Sequence, residues 1–234
     1  MRISVIVPTF NEGKTVSRCL ESVKKQTFKD YELVLVDGHS KDDTVEVAKK
    51  YVDRVIFDEG KGTPAARNFA VKKVSSEILV FVDGDTMVPE NYLEVVDKAF
   101  KKDVVGVGGP LLPEGGTFTD KLIFFICADL LRRIFSLLGS HHFSGASCAY
   151  QRKAYLEAGG FRTDLDMLDD VELSIRMGKY GKEKFEPKML AVTSIRRTKQ
   201  KGHTSTVKMY LQGYLSLFKT GQVKKKGYLR EIKR

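Results

Sequence analysis

Short apolar runs alternate with amphipathic segments in the part of the chain that ends near residue 85. Residues 3–7, 31–36, 54–57 and 78–82 are rich in valine, isoleucine and leucine, and each run has the length of a buried strand. Between them, residues 16–23, 40–51 and 63–74 carry apolar side chains at helical spacing. This alternation predicts an α/β fold with a mostly parallel central sheet and helices on both faces.

The rest of the chain has a less regular pattern. It predicts strands at 104–108 and 143–150, and helices at 120–138, 153–158 and 169–180. Residues 204–219 repeat apolar side chains on one helical face, at Val207, Tyr210, Leu211, Tyr214, Leu215 and Phe218. We expect a catalytic domain over 1–202, with a nucleotide-binding half up to about 110 and an acceptor half over 111–202. A basic amphipathic helical extension would follow over 203–234.

Positive charge is concentrated at the end of the chain. The formal net charge is +10, and residues 191–234 hold twelve basic side chains and one acidic side chain. Such a segment favours an anionic partner, such as a membrane surface or phosphates, although a solvated helix has the same composition. No nucleic-acid-binding motif accompanies it, and the first 190 residues are nearly neutral, so we do not expect a nucleic-acid partner.

Cysteine usage and hydropathy bear on location. Cys19, Cys127 and Cys148 are far apart, which is not typical of a disulfide framework or a zinc site. No apolar run reaches the ~20 residues that a membrane-spanning helix needs. We therefore expect a cytoplasmic protein, either free or peripheral on the cytoplasmic face of a membrane.

Acidic residues follow predicted strands, where ligands bind in open α/β sheets. Asp83 and Asp85 flank Gly84 after residues 78–82, and their hard oxygen atoms suit Mg²⁺ or Mn²⁺. Asp37 follows 31–36 and is consistent with either a nucleotide contact or a turn residue. A further pair, Asp169 and Asp170, begins a predicted helix, where carboxylates serve as caps or as a general base.

Seven motifs occur in the order in which family-2 glycosyltransferases carry them. They are VIVPTFNE at 5–12, VDGHSKDDT at 36–44, ARNFA at 66–70, FVDGD at 81–85, FSGA at 143–146, GGF at 159–161 and DDVEL at 169–173. Each motif is weak alone, but the ordered set is specific. The chain thus resembles this family, whose members have the Rossmann-like GT-A fold and use nucleotide-diphospho-sugars.

The resemblance implies a role for each matching residue. The nucleotide-sugar site would be lined by Pro8, Thr9, Glu12, Asp37, Arg67 and Asp83. Asp85, with Asp83, would bind a divalent metal, Mn²⁺ or Mg²⁺. Asp170 would be the general base of an inverting displacement, with Asp169 beside it. Arg196, Arg197 and His203 are further candidates for phosphate or metal contacts.

The acceptor implied by the basic amphipathic extension is a lipid-linked one, such as a polyprenyl phosphate or a lipid-linked saccharide, although other saccharides fit too.

Several other functions compete with that of a glycosyltransferase. A dehydrogenase would need a Gly-x-Gly-x-x-Gly turn after the first strand, and residues 8–13 do not supply it. A nucleotidyltransferase or a non-catalytic nucleotide-sugar-binding scaffold remains an alternative. The Gln-x-x-Arg-Trp motif of processive synthases is absent, since the chain has no tryptophan.

Overall fold

The computed structural model describes residues 1–130 and 142–223, except for the side chains of Cys127, Ala128, Asp129, Arg197, Thr198 and Lys201. Its strands are β1 (Ile3–Thr9), β2 (Tyr31–Asp37), β3 (Arg54–Phe57), β4 (Ile78–Val82), β5 (Thr86–Met87), β6 (Val104–Gly108), β7 (Leu111–Glu114), β8 (Ser147–Gln151), β9 (Lys182–Phe185) and β10 (Ala191–Ser194). Its helices are α1 (Val16–Lys24), α2 (Thr44–Ala48), α3 (Thr63–Val71), α4 (Tyr92–Ala99), α5 (Phe118–Phe124), α6 (Arg152–Glu157), α7 (Asp169–Met177), α8 (Arg196–Lys201) and α9 (His203–Thr220), and a π-helical turn, Phe125–Leu130, continues α5.

A seven-stranded sheet forms the centre of the molecule, in the order β3-β2-β1-β4-β8-β6-β9. The four strands β1 to β4 are parallel, as predicted, whereas β8 runs antiparallel between β4 and β6. In this register Thr9 lies beside Asp37, so the carboxyl ends of β1 and β2 meet at one edge. The mostly parallel sheet with helices is confirmed.

Apolar clusters cover both faces of this sheet. One contains Cys19 and Leu20 of α1 and Tyr92 of α4, and the other contains Tyr155 of α6 and Leu173 of α7. Because β1, β2 and β4 are covered on both sides, they read as continuous apolar runs rather than alternating ones.

A small second sheet, in the order β5-β10-β7, joins the two halves of the chain. β5 follows Asp85 directly and pairs with β10, and the Ser194 N–H donates to the Asp85 carbonyl at 3.3 Å. The Thr86 hydroxyl donates to that of Thr193 at 2.8 Å. The second half of the chain is thereby held against the end of β4.

Helix α9 packs on the segment that precedes α7. Tyr214 and Leu217 form an apolar cluster with Leu165, Met167 and Val171. His203, the first residue of α9, approaches Asp120 of α5 at 2.7 Å. The predicted helix over 204–219 is confirmed, and the division of the chain at residue 202 stays a prediction.

Several predicted boundaries were wrong. The strand predicted at 143–150 is β8, Ser147–Gln151, because residues 144–147 form a turn closed by an isolated bridge. The helix predicted at 40–51 is limited to Thr44–Ala48, since the Asp37 carboxylate draws Ser40 into the preceding loop. The helix predicted at 120–138 begins at Phe118, where Thr117 and Asp120 form a capping box, and residues 131–138 lie outside the described residues.

Short or polar elements gave no usable pattern. The strands β5, β7, β9 and β10 have two to four residues each, and β9 reads Lys-Glu-Lys-Phe. Helix α8 was also missed, and so was α4, although its buried residues Tyr92, Leu93, Val96 and Ala99 recur at helical spacing. Within residues 1–130 and 142–223, none of the helices combines the length and the apolar character that crossing a bilayer requires.

Candidate active site

The carboxyl ends of β1 and β4 are in close contact. A Cβ atom at Gly84 would lie 2.9 Å from Cγ2 of Thr9 and 3.6 Å from the carbonyl oxygen of Pro8. Only a residue without a side chain fits there, so glycine lets Asp83 and Asp85 sit directly against the end of β1. Both carboxylates line a cleft of about 300 Å³.

Arg67 connects the two sides of this cleft. Its buried Nη2 atom donates to Oδ1 of Asp83 at 2.6 Å and to the Gly145 carbonyl at 2.8 Å, while Nη1 lies 3.7 Å from Oδ2 of Asp169. The guanidinium lies 5.0 Å from the ring centroid of Phe161. Burial disfavours the charged form, but the two carboxylates outweigh it and raise the pKa of Arg67. Arg67 therefore stays charged and joins α3, β4 and α7.

Asp169 and Asp170 line the same cleft and lie in the first turn of α7, one and two residues after the N-cap position. The residue before them, Leu168, has a left-handed backbone with φ 60° and makes no side-chain cap. Oδ2 of Asp170 accepts from the Gly145 N–H at 2.7 Å, and Oδ1 accepts from the Val171 N–H at 2.8 Å. The Asp170 carboxylate thus bonds both the first turn of α7 and the 144–147 turn.

Burial raises the pKa of both carboxyl groups. For Asp169 the charge of Asp170 adds to the rise, while Arg67 opposes it. For Asp170 the Gly145 N–H opposes the rise. The pair thus shares a tendency to hold a proton, which is what a general base requires near neutral pH.

Asp37 is fully buried and organises the loop after β2. Its carboxylate accepts hydrogen bonds from the Thr9 hydroxyl at 3.0 Å, the Ser40 N–H at 2.7 Å and the Ser40 hydroxyl at 2.6 Å. His39, with φ 65°, contacts the Asp58 carbonyl through Nε2 at 2.7 Å and stacks on Phe57. The turn and nucleotide-site interpretations of Asp37 are compatible, because this loop borders the end of β1.

Glu12 and Arg196 form an ion pair across 184 residues of sequence. Nη2 of Arg196 lies 2.7 Å from Oε1 and 2.8 Å from Oε2 of Glu12, and the Thr15 hydroxyl donates to Oε2 at 2.8 Å. Arg196 follows β10, which holds Asp85 through Ser194. The candidate phosphate contact Arg196 therefore lies two residues after the one that hydrogen-bonds the Asp85 backbone.

Among the predicted site residues that the structure describes, Arg67, Asp83, Asp85, Asp169 and Asp170 line the cleft. The others do not line it: Pro8, Thr9, Glu12, Asp37, Arg196 and His203. His203 pairs with Asp120, and this hydrogen bond, helped by Thr117, lowers the pKa of Asp120 to about 2. The side chain of Arg197 lies outside the described residues. Sequence analysis missed the role of Gly145, whose backbone contacts both Arg67 and Asp170. The reason is that the 144–147 turn was predicted to be part of a strand.

The acidic residues fit a divalent cation that takes most of its ligands from a substrate. In the described part of the chain, no three His, Cys, Asp or Glu side chains are grouped closely enough for a metal site. Asp83 and Asp85 nevertheless supply two carboxylates, and the Thr193 hydroxyl lies 3.4 Å from Oδ1 of Asp85. Mg²⁺ and similar ions are commonly held by one or two carboxylates together with phosphate oxygens and water.

Comparison with known proteins shows the family to which the chain belongs. Residues 4–159 match the family described as glycosyl transferase family 2, a stretch that includes Thr9, Asp37, Arg67 and Asp83. This chain belongs to glycosyl transferase family 2. The match includes the strands β1 to β8 and ends before α7 and α9.

Curated relatives of this chain come from several organisms. Glycosyltransferase AglE of Haloferax volcanii is 35% identical over 131 residues, which cover 51% of this chain and 43% of AglE. Poly(ribitol-phosphate) β-N-acetylglucosaminyltransferase TarP of Staphylococcus aureus is 40% identical over 101 residues, which cover 40% of this chain and 31% of TarP. The aligned part therefore spans less than half the length of these relatives.

Solved glycosyltransferase structures share the fold. Mannosyltransferase PcManGT of Pyrobaculum calidifontis, in complex with GDP-Man and Mn²⁺, superposes with a TM-score of 0.73 at 20% identity, covering 99% of this chain and 67% of that one. TarS 1–349 of S. aureus, in complex with UDP-GlcNAc, gives 0.65 at 18% identity, covering 99% and 70%. The predicted GT-A fold is confirmed.

Proposed function

We propose that this protein transfers a sugar from a nucleoside diphosphate to an acceptor by a single inverting displacement. The observation that carries the proposal is the bridge by Arg67, which joins Asp83 on the donor side to Asp169 on the acceptor side of one cleft. Family membership supports the reaction class, and the complexes of PcManGT with GDP-Man and of TarS with UDP-GlcNAc support the donor class.

The donor nucleotide would bind along the carboxyl ends of β1 and β2, beside Thr9, Glu12 and the loop that Asp37 orders. Arg196 lies at the edge of this surface and would exchange part of its pairing with Glu12 for the donor diphosphate. Asp83 and Asp85 would hold Mn²⁺ or Mg²⁺. When bound, such an ion neutralises the negative charge of the departing nucleoside diphosphate.

Asp170 would act as general base. Its carboxylate takes the proton from an acceptor hydroxyl while that oxygen forms a bond to the anomeric carbon. The bond from this carbon to the diphosphate oxygen breaks, and its electron pair leaves with the nucleoside diphosphate. Gly145 and Val171 hold the base in place through their N–H groups, and burial raises its pKa.

The class of reaction is tested by incubating the protein with a panel of UDP- and GDP-sugars and Mn²⁺, and measuring nucleoside diphosphate release. We expect release with at least one donor, dependence on added metal, and loss in Asp85→Ala. Thermal shift with the same donors measures binding separately. Donor binding without any release, with or without acceptors, would contradict the enzymatic proposal and favour a non-catalytic scaffold.

The acceptor side suggests a lipid-linked substrate at an anionic membrane surface. Exposed apolar side chains lie on the helices α5 and α9, including Leu122, Leu211 and Leu215. The link between His203 and Asp120 holds the starts of these helices together. The stretch of chain that contains α9 is basic, since residues 191–223 contain six basic and no acidic side chains. An apolar face with a basic rim is typical of helices that lie in the membrane interface.

Vesicle sedimentation tests this surface. The variant carrying Leu211→Ser and Leu215→Ser should bind anionic vesicles more weakly than the wild type, whereas Leu156→Ser, an exposed leucine on α6, should not. Point changes are preferable to truncation, because Tyr214 and Leu217 belong to the apolar cluster under α9. Equal recovery of wild-type protein in the supernatant with anionic and neutral vesicles at low salt would remove the membrane from the proposal.

A further inference from the structure

A second cavity lies at the edge of the central sheet opposite the catalytic cleft. Its volume is about 510 Å³, and its lining includes Ile78, which begins β4, Val104, which begins β6, and Gln151, which ends β8. Ile78 and Gln151 are register partners in the antiparallel pair of β4 and β8. Asp83 follows the other end of β4, about 16 Å away at ~3.3 Å per residue. The cavity is therefore separate from the catalytic site.

Positive charge prevails in the lining of this cavity. Arg2 is already paired, because its guanidinium bonds the Glu77 carboxylate and donates through Nε to Oδ1 of Asp97 at 3.0 Å. Three further cations have no such partner. Among the residues that the structure describes, no carboxylate forms an ion pair with the side chains of these three lining residues, which are Lys101, Arg152 and Lys153. The cavity thus presents cations whose charge is not neutralised by the protein.

Arg152 is the best-defined of these cations. It is partly buried, whereas Lys101 and Lys153 are exposed, and its backbone N–H donates to the Glu77 carbonyl at 2.8 Å. The Nε atom of Arg152 is buried and has no hydrogen-bond partner in the described part of the chain. Buried polar groups are normally paired, so a buried N–H of this kind favours an acceptor supplied by a ligand. The planar fork of a guanidinium matches the oxygen atoms of a phosphate.

The rest of the cavity wall is largely apolar. It is formed by side chains from the start of β4, the end of α4, the start of β6 and α6, namely Ile78, Phe100, Val104 and Leu156. The volume lies within the range of roughly 300–1,000 Å³ that is typical of small-molecule sites, and a bare phosphate ion would leave most of it unfilled. The apolar wall therefore suits an organic group attached to the phosphate.

We infer that this cavity binds a small organic phosphate, with the phosphate group beside Arg152, Lys101 and Lys153 and the organic group against Phe100 and Leu156. The site does not depend on the proposed sugar transfer, because its lining shares no residue with that of the catalytic cleft. A sugar phosphate and a nucleoside monophosphate have this chemistry in common, and titration with each of them distinguishes the two sources.

The absence of tryptophan from the chain allows a single fluorophore to be placed at the cavity. Leu156→Trp replaces an exposed leucine that lines it, and Leu211→Trp replaces an exposed leucine on α9 that lines neither the cavity nor the catalytic cleft. Each full-length variant is titrated with glucose-6-phosphate, adenosine monophosphate and inorganic phosphate, at constant ionic strength and in chelator. We expect a saturable change of emission for Leu156→Trp alone, with at least one organic phosphate binding more tightly than inorganic phosphate.

Charge variants test the phosphate contacts by calorimetry with the tighter organic phosphate. Arg152→Gln should weaken its binding about tenfold, because a charge-assisted hydrogen bond is lost. Lys153→Gln, at an exposed position, should weaken it about threefold. Lys102→Gln removes the same charge from an exposed residue that does not line the cavity, and it should bind as the wild type does. Thermal unfolding checks that each variant is folded, and the comparison of Lys153→Gln with Lys102→Gln decides the question if Arg152→Gln is not.

Several results would overturn the site. They are no saturable binding of either organic phosphate, equal responses of the two tryptophan variants, and equal affinities of Lys153→Gln and Lys102→Gln. Inorganic phosphate that binds as tightly as both organic phosphates would also contradict the inference, because the apolar wall would then contribute nothing. Binding that is lost in Arg196→Gln and kept in Arg152→Gln would place the ligand in the donor site instead of this cavity.

Discussion

Replacing Asp170 with asparagine should slow sugar transfer by about 100- to 10,000-fold, the range that general-base assistance contributes. The amide has the size of the carboxylate but accepts no proton from the acceptor. Donor affinity should change little, because Asp170 contacts the 144–147 turn rather than β1 or β2. The wild-type rate should fall as the pH drops through the raised pKa of the base, and the variant should lose this dependence.

The change also affects stability, in two opposing ways. Both carboxylate oxygens accept a backbone N–H, from Gly145 and from Val171, and an amide accepts only one of them. A buried N–H left without a partner costs about 1–3 kcal/mol. A neutral amide also removes the unfavourable burial of a charge that raises the pKa of Asp170. The melting temperature should therefore move by only a few degrees, since 1 kcal/mol corresponds to about 2–4 °C at this size.

The assay is single-turnover transfer at several pH values, with donor dissociation constants measured in parallel. Asp169→Asn is the matched comparison, because it removes the neighbouring carboxylate and leaves the bonds to Gly145 in place. We expect a smaller loss for Asp169→Asn than for Asp170→Asn. A loss below threefold for Asp170→Asn, with an unchanged pH profile, would refute the assignment and indicate another base or an acceptor that is already ionised, such as a phosphate.

Four other changes follow from the site. Asp85→Ala should reduce turnover strongly, and excess chelator should reduce wild-type activity equally; unchanged activity in chelator would exclude the metal. Burial and a like charge raise the pKa of Asp169, so its ionisation lowers the free energy of unfolding as the pH rises through that raised pKa. Asp169→Asn should therefore have a higher free energy of unfolding than the wild type between pH 5 and 8, measured by urea unfolding. Gly145→Ala would place Cβ 2.7 Å from the Arg67 guanidinium. We therefore expect at least tenfold slower transfer from a protein whose circular dichroism spectrum is that of the folded state. A wild-type transfer rate would contradict this expectation. Arg196→Gln should weaken nucleoside diphosphate binding roughly tenfold, since hydrogen bonds to charged groups contribute about 1.5–3 kcal/mol. Calorimetry measures this affinity, and an unchanged value would place Arg196 outside the donor site.

The central fold and the positions of the acidic residues at its strand ends could be predicted from local sequence. The strands β1, β2 and β4 are continuous apolar runs because both of their faces are buried, and such runs need no knowledge of distant residues to be recognised. The acidic residues that end them, Asp37 and Asp83, follow because parallel strands present their carboxyl ends at one edge. The amphipathic pattern of α9 is equally local.

Other features depended on residues that are far apart in the chain. The strand β8 joins the sheet antiparallel, and β9 and β10 are too short or too polar to have a periodicity of their own. Their place is set by hydrogen bonds to neighbouring strands, which the local pattern does not encode. The sequence therefore could not show that the second half of the chain folds back against Asp85.

The chain's own amino-acid order thus determined the parallel strands, their acidic ends and the family. Tertiary structure alone decided which side chains meet: Arg67 with Asp169, Glu12 with Arg196, and the tyrosines of α9 with the cleft. The physical reason is that apolar periodicity reports only whether a residue faces the core. An ion pair or a shared cleft depends on how separate elements pack, and that packing is a property of the whole fold.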